Sequence, residues 1–512
     1  MIGAGVTRGG GIVLGLVLAC LAAASPARAD WSRAESEHFI VYGEGDKSVR
    51  SYAVMLEDFD SLLRRLHGRP RDEVAPRKLP VYLVDGLGEL RQVMPQAKEG
   101  MAGIYFPALT EVFAVVVRDA GGDYDLNKGD DTVMHEYVHH FMMQYYPSAY
   151  PAWLVEGYAE YYMTADLAAT RLVGGVNRGR AYSLTQPAGW IPMQDVLGKR
   201  PSDLRERDIY AYYAQSWLLT HYILSDPGRH KLLAPYLDTM RGGRDPVAAW
   251  RDVYGDDPEG LKRKLRAYMD KTLPAGMLAR QGPLDPPMTV TRLSPGASGL
   301  ILEGQRLKLG VDKADQGRFL TTVRTAAARA PQDRFSRLVL ARAETLLGDR
   351  AAGEAILDAL LTADPKDEDA LVALGESRLA AAADDADRRT EILAEAAKLF
   401  ARAFKINPDN PQTLHGYAEA KALAPLTEAM VDIRLKAMQL APQVGHLRLD
   451  AANALIQIGD PQNARALLTP LAGNPHGGEA SQAAVALIKA IDGAAKTATK
   501  PAGEGDKKAS GG

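Results

Sequence analysis

Cysteine is almost absent from this 512-residue chain, with Cys20 the single example. One thiol excludes an internal disulfide framework and any cysteine-rich zinc module. An excess of charge is missing too. Lys and Arg total 61 against 64 Asp and Glu, a formal net charge of -3, which argues against bulk electrostatic binding to nucleic acid. Beyond the N-terminal segment, no stretch reaches the roughly 18 uninterrupted apolar residues of a membrane-spanning helix. There is no Gly-x-x-x-x-Gly-Lys-Ser/Thr loop and no dinucleotide fingerprint, so nothing points to a nucleotide cofactor. Tryptophan is missing from the second half: Trp31, Trp153, Trp190, Trp217 and Trp250 are the full set. Tyrosine shows the same skew, with Tyr417 alone beyond residue 270.

What is present is a chain with 46% apolar residues, long enough for about two to four domains. Its two halves have different side-chain stock, which predicts two architectures. Arg8 precedes an apolar run from Gly11 to Ala24, and Ala27-Arg28-Ala29 offers small residues where a signal peptidase cuts. Residues 1–29 therefore read as a signal peptide, and the mature protein as exported, either periplasmic or secreted. A retained membrane anchor is one alternative. A lipoprotein attached through Cys20 is another, although Val17-Leu18-Ala19-Cys20 is a poor lipid-attachment box within the apolar run.

Residues 36–120 alternate strand-like and helix-like patterns. His38–Tyr42, Leu79–Val84 and Glu111–Val117 read as strands, and Ser48–Leu66 carries apolar residues at helical spacing. From about Asp130 to Lys271 the pattern is mostly helical. Residues 30–271 thus predict an α+β domain. The span 272–297 holds Pro274, Pro283, Pro286, Pro287 and Pro295 without periodicity and reads as a linker. Beyond it Pro331, Pro365, Pro408, Pro442 and Pro475 recur at spacings of 34, 43, 34 and 33 residues. Small residues (Ala341, Gly375, Ala418, Ala452) stand ten positions after the first four, where two helices of a hairpin would approach closely. Ala380–Asp385 looks like an insertion that lengthens the outlying interval. Residues 298–490 resemble tetratricopeptide repeats, whose period is about 34. That resemblance implies an all-α solenoid with a face for a protein partner. The Lys/Ala/Gly-rich stretch 491–512 reads as a disordered tail.

The chemistry lies in His135-Glu136-Tyr137-Val138-His139. Positions i and i+4 share a helix face, so both imidazoles can reach one metal ion with Glu136 beside it. Asp130 or Asp131 could cap that helix. After a turn containing Pro147 comes Trp153-Leu154-Val155-Glu156-Gly157-Tyr158-Ala159-Glu160, again with two carboxylates four apart on an otherwise apolar helix. Buried carboxylates need a partner, and a divalent cation provides one. His135, His139 and Glu156 then make three N/O ligands with a fourth position open, the catalytic rather than structural zinc arrangement. His140 points about 100° away around the helix and reads as a non-ligand, while His38 and His221 read as structural or surface. The tyrosines Tyr145, Tyr146, Tyr150, Tyr158, Tyr161 and Tyr162 could line a cleft or pack between the two motif helices.

His-Glu-x-x-His followed by Trp-x-x-Glu-Gly-x-Ala-Glu resembles the gluzincin metallopeptidases of the peptidase MA group. The resemblance implies a zincin-like catalytic domain holding Zn²⁺ on His135, His139 and Glu156. It implies Glu136 as general base and Glu160 as the carboxylate that orients a histidine ligand. It also implies a downstream tyrosine to stabilise the oxyanion, for which Tyr213, at the start of Tyr213-Ala214-Gln215-Ser216, is the choice over Tyr210 and Tyr212. The aminopeptidase Gly-x-Met-Glu-Asn segment is lacking, so the resemblance does not imply exopeptidase action. The expected function is hydrolysis of peptide bonds by a metal-activated water, with the repeats recruiting a protein substrate or partner. The competing expectation is a cell-envelope tetratricopeptide scaffold with a structural or vestigial zinc site.

Overall fold

A computed structural model of the chain describes residues 30–498 except 71, 72, 74, 75, 119–128, 168–170, 187, 242 and 281–284. The expected signal peptide, with Cys20, lies outside the described residues.

The first segment alternates strands and helices: β1 (Trp31–Glu35), β2 (Phe39–Glu44), α1 (Asp46–Leu66), β3 (Leu79–Val84), α2 (Leu87–Val93), β4 (Gly103–Pro107) and β5 (Val112–Val117). Next come helices α3 (Gly129–Tyr145) and α4 (Ala152–Tyr162), then β6 (Arg171–Gly174), α5 (Arg178–Thr185), α6 (Met193–Gly198) and α7 (Glu206–Leu224). The short helices α8 (Pro227–Lys231), α9 (Leu233–Arg241), α10 (Pro246–Tyr254) and α11 (Pro258–Met269) complete this part. Asp130 and Asp131 sit inside the first turn of α3 rather than ahead of it.

The segment 272–297, read from its prolines as a linker, contributes strands to both sheets. It carries β7 (Gly276–Ala279), paired with β6, and β8 (Thr289–Arg292), paired antiparallel with β1. Four-residue strands between prolines are too short to show a period of two, so pairing with distant strands decides their state. The main sheet runs β4-β5-β3-β2-β1-β8. Its central pairs, β2 with β3 and β3 with β5, are parallel, and β4 lies antiparallel at one edge. β3 is buried at every position, because both faces of the sheet are covered. On one face Val81, Ala114 and Val116 pack against Leu56 and Phe59 of α1 and Val138 and Phe141 of α3. On the other, Tyr82, Val84 and Val115 pack against Leu90 of α2 and against Ile301 and Leu302 from the repeat region.

That region is helical throughout: α12 (Pro295–Leu309), α13 (Gln316–Ala328), α14 (Arg334–Leu347), α15 (Arg350–Ala363), α16 (Glu368–Asp384), α17 (Arg389–Ile406), α18 (Pro411–Ala420), α19 (Glu428–Leu440), α20 (Gly445–Gln457), α21 (Pro461–Ala472) and α22 (Glu479–Ala498). Consecutive helices pack as hairpins. Each recurrent proline stands in the connection between two hairpins, and Asp or Asn side chains cap several helix starts (Asp333, Asp349, Asp367, Asn410, Asp460). The small residues do what their spacing predicts. Ala341, Ala418 and Ala452 are buried, and a Cβ on Gly375 would stand 2.7 Å from the Phe400 ring. The 43-residue interval is absorbed by the longer helices α16 and α17. The tail expected from residue 491 is helical as far as Ala498, and residues 499–512 lie outside the described residues.

The repeat array wraps the sheet. Its first helix covers one face. Its later helices pass the β4–β5 end, where Leu109 and Val112 pack with Leu414, Met438, Val444 and Leu447. Its last turns then arrive at α3 and α4.

Candidate metal centre

Two helices and the turn between them build the site. Val133, Val138 and Phe141 anchor α3 on the sheet, leaving the His135–His139 side of the helix free. The turn from Tyr146 to Pro151 reverses the chain and lays α4 beside α3. Trp153 and Leu154 bury the far side of α4 with Trp217 and Leu218 of α7. Gly157 makes that packing close: a Cβ there would fall 2.3 Å from the Ser216 carbonyl oxygen. The side chain preceding that glycine, Glu156, is fully buried and turned toward α3.

His135 Nε2, His139 Nε2 and Glu156 Oε2 form a nearly equilateral triangle. The two nitrogens are 3.1 Å apart, and the carboxylate oxygen is 3.4 Å from one and 3.5 Å from the other. Zinc held tetrahedrally with bonds of about 2.0–2.1 Å places neighbouring ligand atoms about 3.3 Å apart. The buried Glu156 oxygens accept no hydrogen bond among the described residues, and neither does His139 Nδ1 have a partner. Buried and undonated carboxylate oxygens are expensive, and a cation at the centre of the triangle satisfies them. The residues present therefore fit zinc.

The electrostatics agree. Burial alone would lower the His135 pKa, yet the carboxylates of Glu156, Glu160 and Glu136 outweigh it and raise it to about 9. Burial would raise Glu156, but His139, His135 and His476 hold it far below the usual carboxylate range. The pocket thus favours positive charge at its centre.

A second triad of similar composition provides a contrast. His38, Glu57 and Asp60 also lie close enough to hold a metal. Their oxygens, however, already have donors: Glu57 accepts from His38 Nδ1 and from the His38 backbone amide, both at 2.8 Å, and Asp60 accepts from Arg64 at 2.5 Å and Tyr137 at 2.6 Å. With a guanidinium already in place, this is a structural network.

Glu160, four residues beyond Glu156, places Oε1 3.7 Å from His135 Nδ1. Arg180 grips it through two bonds, Nε at 2.9 Å and Nη2 at 2.6 Å, and Asn177 donates a third at 2.9 Å. Nothing in the spacing of the sequence points to Arg180 or Asn177. Glu136 lines the same cavity as His139. Tyr213 stands with its ring 6.3 Å from that of His135, whereas Tyr212 donates to the Lys199 carbonyl in the core and Tyr210 is exposed. His140 faces away, bonded to the Tyr105 hydroxyl at 2.9 Å. His221 is buried beside Tyr268. Of the tyrosine cluster, Tyr146 and Tyr150 line the cavity. Tyr145 and Tyr158 bind Arg64 and His67 instead, and Tyr161 and Tyr162 pack against each other.

The cavity has a volume of about 420 Å³. One wall is Tyr105 and Pro107 of β4 with Glu136, His139, Met142 and Met143 of α3; the other is Gln443, Pro470 and the Gly473–His476 turn of the repeats. Sequence reasoning missed this second wall entirely.

No family model and no curated protein matches the chain. Among solved structures, the chain is similar to a thermophilic tetratricopeptide-repeat protein from Thermus thermophilus, at 20% identity over 38% of this chain and 99% of that one, with a TM-score of 0.33. It is also similar to a tetratricopeptide repeat protein from Parabacteroides merdae, at 14% identity over 52% of this chain and 86% of that one, with a TM-score of 0.28. The helical part of the chain is a run of helical hairpins with a proline in the connections between them. Among the described residues no helix is long and apolar enough to cross a membrane.

Proposed function

We propose that this chain is an exported, gluzincin-type zinc metallopeptidase, with tetratricopeptide-like repeats that take up a protein substrate or partner. One observation carries the reading: the triangle of His135, His139 and Glu156 atoms, with edges of 3.1–3.5 Å and a buried carboxylate that no donor satisfies.

Bound zinc would supply Lewis acidity, activating water and polarising the scissile carbonyl. The remaining work falls to this chain's own side chains. Glu136, on the cavity wall beside His139, takes the proton of the attacking water and passes it to the leaving amine. Tyr213 is held well above the usual phenol pKa by burial and by Glu156, Glu160 and Glu136. It therefore keeps its proton and can donate it to the developing oxyanion. Glu160, fixed by Arg180 and Asn177, orients the His135 ring.

The test uses purified full-length protein, its zinc content and cleavage of a peptide library. Wild type and Glu136→Gln should both carry stoichiometric zinc, with cleavage lower by about 10²–10⁴-fold in the variant. A zinc-free wild type, or undiminished cleavage by Glu136→Gln, would sink the reading.

The repeats favour a second reading, a protein-interaction scaffold whose zinc is structural, because such arrays present concave surfaces to partners. Zinc bound equally by both proteins, with neither cleaving any peptide, would decide for the scaffold.

A further inference from the structure

The residue immediately after the repeat proline has an unexpected role in the last two inter-hairpin turns. After Pro442 it is Gln443, and after Pro475 it is His476. Gln443 Nε2 donates to the His140 carbonyl at 3.3 Å and to Gln144 Oε1 at 3.1 Å, pinning its turn to α3. One repeat further on, His476 Nε2 stands 3.4 Å from Glu156 Oε1. Its ring meets that of His139 edge-on, with centroids 5.8 Å apart. The oxygen it faces is the one turned away from the His135–His139 pair, whose two contacts are both to Oε2.

The His476 turn is shaped for this placement. Asn474 Oδ1 accepts from the His476 amide at 2.9 Å, and the Asn474 carbonyl accepts from the Gly477 amide at 3.1 Å. Gly477 and Gly478 both take positive φ, 67° and 91°, a conformation that other residues adopt only with strain. Ser202 lies 3.1 Å from where a Cβ on Gly477 would be, and Arg200 donates to Ser481 at 3.3 Å. The turn is therefore braced against the first half of the chain just C-terminal to the imidazole.

We propose that the repeat array completes the metal centre, with His476 as a positioning residue for Glu156. By standing 3.4 Å from Oε1 it fixes which way the carboxylate turns, so that Oε2 faces the two ligand imidazoles. The metal centre is then built by both halves of the chain, and the array is a wall of the cleft as well as a docking surface. This inference rests on the reading of the triangle as a zinc site.

The experiment measures zinc affinity by chelator competition, and the absorption spectrum of the cobalt-substituted protein, for full-length wild type, His476→Ala and His476→Gln. Loss of an outer-sphere partner of a metal ligand weakens metal binding by about 10–100-fold. His476→Ala should show that loss and an altered cobalt spectrum, with an unchanged melting temperature of the metal-free protein. His476→Gln, whose amide can donate to Oε1, should recover most of the affinity. A His476→Ala protein that binds zinc as tightly as wild type overturns the proposal and leaves the metal reading standing. A fall in affinity matched by a fall in the metal-free melting temperature also overturns it, since that is a merely structural role. A wild type that takes up no zinc overturns both.

Discussion

Glu156 and Glu160 are one helical turn apart on α4 and equally hidden from water, but they are satisfied in opposite ways. Glu160 has Arg180 and Asn177; Glu156 has only imidazoles around it. That difference separates a carboxylate that holds its neighbours in place from one whose oxygens a cation would satisfy. Tyr213→Phe tests the other end of the site. It removes one hydroxyl and leaves the metal triangle intact, so zinc content should stay at the wild-type level while kcat for peptide cleavage falls by about 10²–10³-fold with little change in KM. Equal kcat values would return Tyr213 to the packing role that its neighbours on α7 have. The His135–Glu136–His139 set and Glu156 were legible in the sequence because helix geometry converts a spacing of four into a shared face. Arg180, Asn177 and His476 were not, because no local period links them to α3 or α4.

At the scale of elements, the site depends on how closely α4 lies on α7. Gly157→Ala forces a methyl group against the Ser216 carbonyl and the Thr220 hydroxyl, each 2.3 Å away. Overpacking of this kind costs about 1–3 kcal/mol, and the shift of α4 moves Glu156 with it. A lower melting temperature and weaker zinc binding should therefore appear together; a Gly157→Ala protein equal to wild type in both would contradict the packing argument. The buried network at the start of β2 makes a pH prediction. Burial would lower the His38 pKa, but Glu57 and Asp60 outweigh it and raise it. Burial would raise Glu57, but His38 outweighs it and lowers it. The Glu57 contribution is present above the ordinary carboxylate pKa and is lost as pH falls through its lowered folded value. The His38 contribution is present below the ordinary imidazole pKa and is lost as pH rises through its raised folded value. Glu57→Gln should thus lower the melting temperature most in the window between these limits, and converge with wild type at strong acid, as thermal melts across pH would read. The strands β2, β3 and β5 were readable from alternation and β-branched content. β7 and β8 were not, since each is four residues long and owes its state to a partner strand far away in the chain.

At the scale of the molecule, the two halves are not separable units. Ile301 and Leu302 of α12 cover the same sheet face as Trp31, Tyr82 and Val84, and the Trp31 amide donates to Ser298 at 3.3 Å. A protein ending at residue 297 would expose that face. Circular dichroism and size-exclusion chromatography should find it unfolded or aggregated, whereas a stable monomer would show the first half to be self-sufficient. The proline period disclosed the repeats themselves. Their route around the sheet was hidden, because it depends on which face of each hairpin finds the β4–β5 end, and that is a tertiary choice.

The closure between Glu156 and His476 has a consequence for timing. During synthesis His135, His139 and Glu156 all emerge long before the turn that faces them, with the whole sheet-wrapping array still to be made. Contacts so distant in sequence form late. The first half needs the array to cover its sheet, so on the proposal above the finished centre appears only once the array has closed around it. In refolding, the cobalt spectrum of the mature site should therefore trail the recovery of helical signal.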